Sequence, residues 1–219
     1  MKAQSVGLGR YLLTAGVVSA GLLVSPGAAQ TRSTTRFRDA LESVKVLNEA
    51  WNFENSAKQR SLAYAGKADE EGYAPVASLF RATAQSQRIV ADNLARAMRK
   101  LGFDPEARDE RFEVRSTSEN LRREAALHAG YRSAALPALN AALKRENFSA
   151  AMRAMDDVGQ AETGYVTFLW AASQDLGSLR SSQTVTYLVC QECGYMTKRM
   201  NSLVCKVCFH SRDKHQAVT

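Results

Sequence analysis

All four cysteines lie in the last thirty residues, as Cys190-x-x-Cys193 and Cys205-x-x-Cys208 with eleven residues between the pairs. Two such pairs bring four thiolates within tetrahedral reach of one ion. Soft sulfur ligands in that arrangement suit zinc or a single iron. The alternative is two disulfides, which an oxidising compartment would favour. Thr184 to Val189 reads as a strand entering the first pair, and Gly194 follows that pair where the backbone must turn tightly. Lys198, Arg199, Lys206, Arg212 and Lys214 surround the cysteines. This surface suits an acidic redox partner, or is simply solvated. His210 and His215 are close by in sequence, but four sulfurs complete a tetrahedron, so both read as surface residues.

A second set of polar residues stands where apolar ones are expected. Glu54, Gln87, His128 and Glu162 each fall within an apolar stripe of helical period, one on each of four segments. A buried charge is costly unless it is paired or bound to a metal. For one residue, a solvated stripe edge is the ordinary explanation; four in four helices is not.

The stripes define the elements that must carry these groups. Phe37, Leu41, Val44, Leu47 and Trp51, continued by Ala57, Ser61, Ala65 and Ala68, predict a first helix that ends at Gly72. Pro75 opens a second, whose stripe runs Val76, Leu79, Thr83, Gln87, Val90, Leu94, Met98 and Leu101 before Gly102. Residues 104–115 are charged and long for a turn between adjacent antiparallel helices, so they read as a crossover. The capping box Ser116-x-x-Glu119 starts a third helix. Its stripe is Leu121, Ala125, His128, Tyr131 or Arg132, Ala135, Leu139 and Leu143, and Pro137 should kink it. The fourth carries Phe148, Ala151, Met155, Val158, Glu162, Tyr165 and Leu169. Two helix pairs joined by a longer connection make a four-helix bundle with one crossover.

The chain has 219 residues and a net charge of +7, unevenly spread. Residues 33–179 are balanced, while residues 180–219 carry six basic and two acidic groups. A neutral body with a small basic tail argues against a nucleic-acid binder. The N-terminus has Lys2 and Arg10, an uncharged run from Tyr11 to Val24, then Ser25-Pro26-Gly27-Ala28-Ala29. This is the pattern of a secretory signal cleaved before Gln30, and the apolar run is short for a spanning helix. The expected location is outside the cytoplasm, in the periplasm or its equivalent. An uncleaved segment would instead anchor the chain to the membrane.

These features resemble rubrerythrin, of the ferritin-like superfamily. Glu54-Asn-Ser-Ala, the turn Glu71-Gly72-Tyr73, Ala84-Gln85-Ser86-Gln87-Arg88-Ile89-Val90 and Gln160-Ala161-Glu162-Thr163-Gly164-Tyr165 fall on that family's metal-binding and turn motifs. Tyr187-Leu-Val-Cys-Gln-Glu-Cys-Gly-Tyr195 resembles its rubredoxin-type tail. Beside the signal peptide read over 1–29, the resemblance implies a ferritin-like bundle over 33–179 and a small β-rich, rubredoxin- or zinc-ribbon-like metal domain over 184–215. In the family, inward carboxylates and two Glu-x-x-His pairs hold two irons. Position by position, Glu54 and Glu162 match, Gln87 replaces a Glu, Val90 and Tyr165 replace His, and Ala125 and His128 replace Glu. That makes a di-iron centre unlikely. It leaves either one metal on Glu54, His128 and Glu162, or a polar core in which His128 and Tyr165 hydrogen-bond the two carboxylates. In the tail, Lys206-Val207 and Phe209 stand where the family has Pro and Gly, which puts iron-type redox tuning in question.

The expected function is therefore that of an exported rubrerythrin-like metal protein. It has one iron or zinc at Cys190, Cys193, Cys205 and Cys208, and by resemblance an electron-transfer role in oxidative stress. The alternative is a non-catalytic, zinc-stabilised binding or scaffold protein on the same fold. Whether it is an oxidoreductase stays open, as does oligomerisation; no nucleic-acid partner is expected.

Overall fold

The computed structural model describes residues 26–144 and 148–219. The signal segment expected over residues 1–29 lies almost wholly outside the described residues. Four long helical segments form the body. Helix α1 runs Pro26–Glu70 and α2 Ala74–Lys100; α3, Thr117–Gly130, continues through a π-helical turn, Tyr131–Ala135, into α4, Leu136–Lys144; α5 is Ser149–Gln174. Among the described residues no helix is long and apolar enough to cross a membrane. Among the described side chains, the stripes read from the sequence face inward except at Ala135. Leu47, Leu79, Leu94, Met98, Leu121, Met155 and Leu169 are among the largest fully buried side chains.

Short-range chemistry sets the helix ends. Gly72 takes φ +78° at the turn after α1, a conformation that disfavours any residue with a Cβ. Beside it, the Glu71 carboxylate accepts a 2.9 Å hydrogen bond from the Thr117 N–H at the start of α3. That bond lowers its pKa. The capping box forms at the same terminus, with Ser116 Oγ accepting from Glu119 N–H and the Glu119 carboxylate accepting from Ser116 N–H.

The connection between α2 and α3 lies along α1, as a crossover must. Its backbone polar groups are met by side chains of α1. Asn48 Oδ1 accepts from Glu106 N–H at 2.9 Å, and Asn52 both accepts from Arg108 N–H at 2.7 Å and donates to Glu106 C=O at 2.9 Å.

Pro137 acts differently from a simple kink. Just before it, the chain widens into the π turn, where Leu136 N–H bonds back to Tyr131 C=O. One extra residue per turn advances the inward face by one position. Tyr131 is buried and Arg132 exposed, but Leu136 is then buried in place of the expected Ala135.

The tail forms a three-stranded antiparallel sheet in the order β2-β1-β3, with β1 at Tyr187–Cys190, β2 at Met196–Thr197 and β3 at His215–Val218. The first strand begins later than the sequence suggested, because Thr184 to Thr186 lead in along α2, where Val185 N–H donates to Ser78 Oγ at 3.2 Å. Tyr187, Val189 and Met196 join the bundle's own core, so tail and bundle share one apolar interior.

Candidate metal centre

The two cysteine pairs sit on two loops of matching construction. In the first, Cys190 N–H donates to Tyr195 C=O and Gly194 N–H to Cys190 C=O, both at 2.9 Å. In the second, Cys205 N–H donates to His210 C=O at 2.8 Å and Phe209 N–H to Cys205 C=O at 3.1 Å. Each loop needs a left-handed residue after its second cysteine. Gly194 supplies one at φ +78°; Phe209 is forced into the other at φ +60°, with its ring 74% exposed.

The loops bring all four Sγ atoms within 4.8 Å of one another. Cys190 and Cys208 are 3.6 Å apart at sulfur, Cys193 and Cys205 3.7 Å. A disulfide needs about 2.05 Å, whereas a tetrahedron with metal–sulfur bonds of about 2.3 Å has edges near 3.8 Å. Among the described residues this is the one cluster of His, Cys, Asp or Glu with ligand atoms gathered for an ion. Backbone N–H groups of Glu192 and Cys193 point at the Cys190 sulfur, that of Tyr195 at Cys193 and that of His210 at Cys208. Hydrogen bonding from the Cys193 thiol holds Cys190 down, at about 4, and the same contact pushes Cys193 far up. Four sulfurs this close share their protons unevenly, and only a cation lets all four be thiolates.

The first loop is seated on α2. Ser86 Oγ donates to Gly194 C=O and is itself 2.8 Å from the Tyr165 hydroxyl of α5. A Cβ on Gly194 would lie 2.8 Å from Val90 Cγ2 and 3.1 Å from the Ser86 carbonyl oxygen. Val90 and Tyr165, at the two positions where the resemblance places histidines, thus contact the cysteine loop or its anchor.

Inside the bundle, Glu54, Gln87, His128 and Glu162 are all fully buried, as their stripes indicated. His128 Nδ1 lies 2.9 Å from both oxygens of Glu162. Its Nε2 is 3.1 Å from the Gln87 amide and 3.3 Å from Glu124 Oε2, an ion-pair distance rather than an aligned hydrogen bond. Phe53 and Tyr165 meet the imidazole edge-on, at 5.3 and 5.1 Å between centroids.

Two members of this cluster escaped sequence reasoning. Glu124 is fully buried, although the resemblance placed that family's α3 carboxylates at Ala125 and His128. Arg60, only 2% exposed, donates from Nε to Glu124 at 2.6 Å and from Nη1 to Glu110 of the crossover at 2.7 Å. The i, i+4 spacing of Glu124 and His128 is a signal that could have found Glu124; none points to Arg60. The expected grouping of Glu54, His128 and Glu162 is partly realised. Glu54 lies close enough to Glu162 to share its field, yet neither Glu54 oxygen meets a donor among the described residues.

Electrostatics follow from this geometry. Burial, then the neighbouring Glu162 charge, drives the Glu54 pKa well up and favours its neutral form. Burial opposes the charge on His128, but Glu162 and Glu124 outweigh it and raise it to about 10. Burial alone would raise Glu124; His128 and Arg60 bring it below the usual value instead.

The sequence model of the rubrerythrin family matches residues 45–171, more than half of the chain. The chain belongs to the rubrerythrin family. Its fold agrees. Nigerythrin in its fully reduced, all-ferrous state is 24% identical, with a TM-score of 0.71 over 80% of this chain and 86% of nigerythrin. The mixed-valence form gives the same values. A bacterioferritin from Desulfovibrio desulfuricans is 17% identical, with a TM-score of 0.60 over 66% of this chain and 85% of its own. No curated protein matches the sequence. This member of the family carries a four-cysteine cluster and, in the bundle, a cluster of buried charged groups.

Two outcomes test these arrangements. Gly194→Ala forces a Cβ against Val90 and into a left-handed backbone, and should destabilise the tail by at least about 2 kcal/mol. Phe209→Gly removes the same strain from the second loop and should stabilise it by about 0.5–1 kcal/mol. Urea unfolding and the rate of metal loss to a chelator should move in opposite directions for the two. His128 is charged in both states below about pH 6.5, so its contribution is complete there. From there to about pH 10 the folded chain holds a proton that the unfolded chain has released, and stability falls. Thermal unfolding across that range should show the decline in the natural chain and lose that component in His128→Gln.

Proposed function

We propose that this protein is an exported one-electron carrier whose single metal is iron on Cys190, Cys193, Cys205 and Cys208. The observation that carries this reading is the near-tetrahedral gathering of the four sulfurs, 3.6 and 3.7 Å along two edges. Iron in such a site would supply a reversible one-electron change with little movement of its ligands. The protein's part is to order the sulfurs before the metal binds and to aim N–H groups at them. The His210 N–H directed at Cys208 answers the concern raised by Phe209: the left-handed turn is made despite the side chain. Zinc fits the same four thiolates, and a colourless zinc protein would make the chain a scaffold.

Peroxide reduction at a bundle di-iron centre is not part of the proposal. The donor set argues against it, since Val90 and Ala125 cannot bind metal and Tyr165 is committed to Ser86. A pair of irons needs about four carboxylates and two histidines.

The proposed docking face for an acidic redox partner is a cleft of about 670 Å³ between α2, α5 and the second cysteine loop. Half-buried Cys208 and exposed Phe209 line it; its walls carry Asp156, Asp157 and Glu192 as well as Lys100, Arg153 and Lys206, and these three cations have no ion-pair partner among the described residues. These cations would steer an anionic surface toward the sulfur nearest solvent.

Elemental analysis of protein recovered from its native compartment tests the metal. One iron per chain with a red colour is expected, and its loss in Cys193→Ala or Cys205→Ala with the helical signal retained. Two disulfides and no metal would end the reading. For export, the mature chain should begin near Gln30; a soluble product starting at Met1 would refute it.

A further inference from the structure

The buried charges of the bundle have a role beyond the loss of metal ligands. We propose that Arg60 and His128 are resident cations that neutralise the carboxylate cluster from within and close it to metal ions. This deepens the reading that the cysteine cluster is the chain's metal centre, and rests on it only for what fills that second site.

The argument starts from lone pairs. Glu124 Oε1 accepts from Arg60 at 2.6 Å, and Oε2, with no hydrogen-bond partner, lies at an ion-pair distance of 3.3 Å from His128 Nε2. Glu162 has both oxygens 2.9 Å from His128 Nδ1. The imidazole faces a carboxylate from each nitrogen. Hydrogen on both nitrogens answers both carboxylates; it makes the ring a cation and leaves it no lone pair for a metal. Gln87 agrees with this. Its Oε1 is buried without a partner while its Nε2 is placed against His128 Nε2. Exchanging the amide's O and N, which are interchangeable in shape, lets the orphaned oxygen accept from the imidazolium.

Among the buried groups, two cations then face two carboxylates, Glu124 and Glu162, while Arg60's other partner, Glu110, is exposed on the crossover. The third buried carboxyl, Glu54, has no cation in contact, and burial beside Glu162 favours its neutral form, so the buried set balances. With the amide exchanged, a divalent ion entering it would find without a hydrogen-bond partner only the Glu54 carboxyl and Glu124 Oε2, the latter 3.3 Å from the His128 charge. It would also have to expel the His128 proton and break the Arg60 pair. Removing one partner of a buried ion pair is strongly destabilising, so the cluster resists that exchange. Arg60 is suited to the role because a guanidinium keeps its charge when buried and reaches two carboxylates at once, Glu124 in the core and Glu110 on the crossover.

The test uses the full chain with its cysteine site already filled, titrated with Mn²⁺ and followed by electron paramagnetic resonance. The natural chain should bind none in the bundle. Arg60→Met with His128→Gln leaves three carboxyls without an internal cation, and should bind one Mn²⁺ per chain where the natural chain binds none. The double variant should also gain thermal stability on adding Mn²⁺. Uptake by the natural chain that is lost in Glu54→Gln would overturn the proposal, as would a folded double variant that binds no ion. Should the double variant not fold, ¹⁵N spectra of the natural chain decide. At about pH 8 an unpaired histidine is neutral, whereas His128 should show hydrogen on both nitrogens, and a neutral ring there would overturn the proposal. Disulfides at the cysteines would end the electron-carrier reading and leave these outcomes untouched.

Discussion

A charge held among four packed helices must meet its opposite within contact distance, and the interior of this bundle is arranged around that requirement. Arg60, Glu124, His128 and Glu162 form one chain of contacts across α1, α3 and α5 at 2.6, 3.3 and 2.9 Å. Glu54 completes the set, its neutral form favoured by burial. The surrounding structure serves the same end. Phe53 and Tyr165 pin the imidazole, the crossover brings Glu110 to Arg60, and the π turn before Pro137 keeps Tyr131 stacked on Phe53 at 3.8 Å. A rubrerythrin-type bundle can then fold with its own side chains supplying the positive charge.

The tail depends on the bundle in turn. A segment of about forty residues buries too little surface to be stable alone. Here it borrows a core through Tyr187, Val189 and Met196 and an anchor through Ser86 and Gly194. Val90 and Tyr165 link the two halves of the molecule. Residues of other types at these positions could ligate a metal. As they are, one fills space against the cysteine loop and the other holds the serine that grips it. Both positions thus take part in docking the tail.

Much of this was legible in the sequence, for local reasons. Helices announce themselves by periodicity, so Glu54, Gln87, His128 and Glu162 stood out as polar groups on apolar stripes. The cysteine spacing is local as well, and needed only the loops to close. Arg60 and Glu124 were not legible. Each adjoins a stripe residue, Ser61 and Ala125, and a charge beside a stripe ordinarily points to solvent. Their burial follows from pairing across α1 and α3, sixty-four residues apart, which no periodicity encodes. Likewise Pro137 signalled a distortion without revealing that a π turn would move the buried position from Ala135 to Leu136. The seat of Gly194 on Ser86 is a long-range contact with no sequence pattern of its own.

The central claim is that metal belongs to the sulfur cluster and that the carboxylate cluster is closed by protein cations. Anomalous scattering at the iron edge, from crystals of the protein purified with its native metal, tests it most directly. The account predicts one peak, at the centre of Cys190, Cys193, Cys205 and Cys208, and none among Glu54, Glu124, His128 and Glu162. A peak or pair of peaks between Glu54 and Glu162 would contradict it.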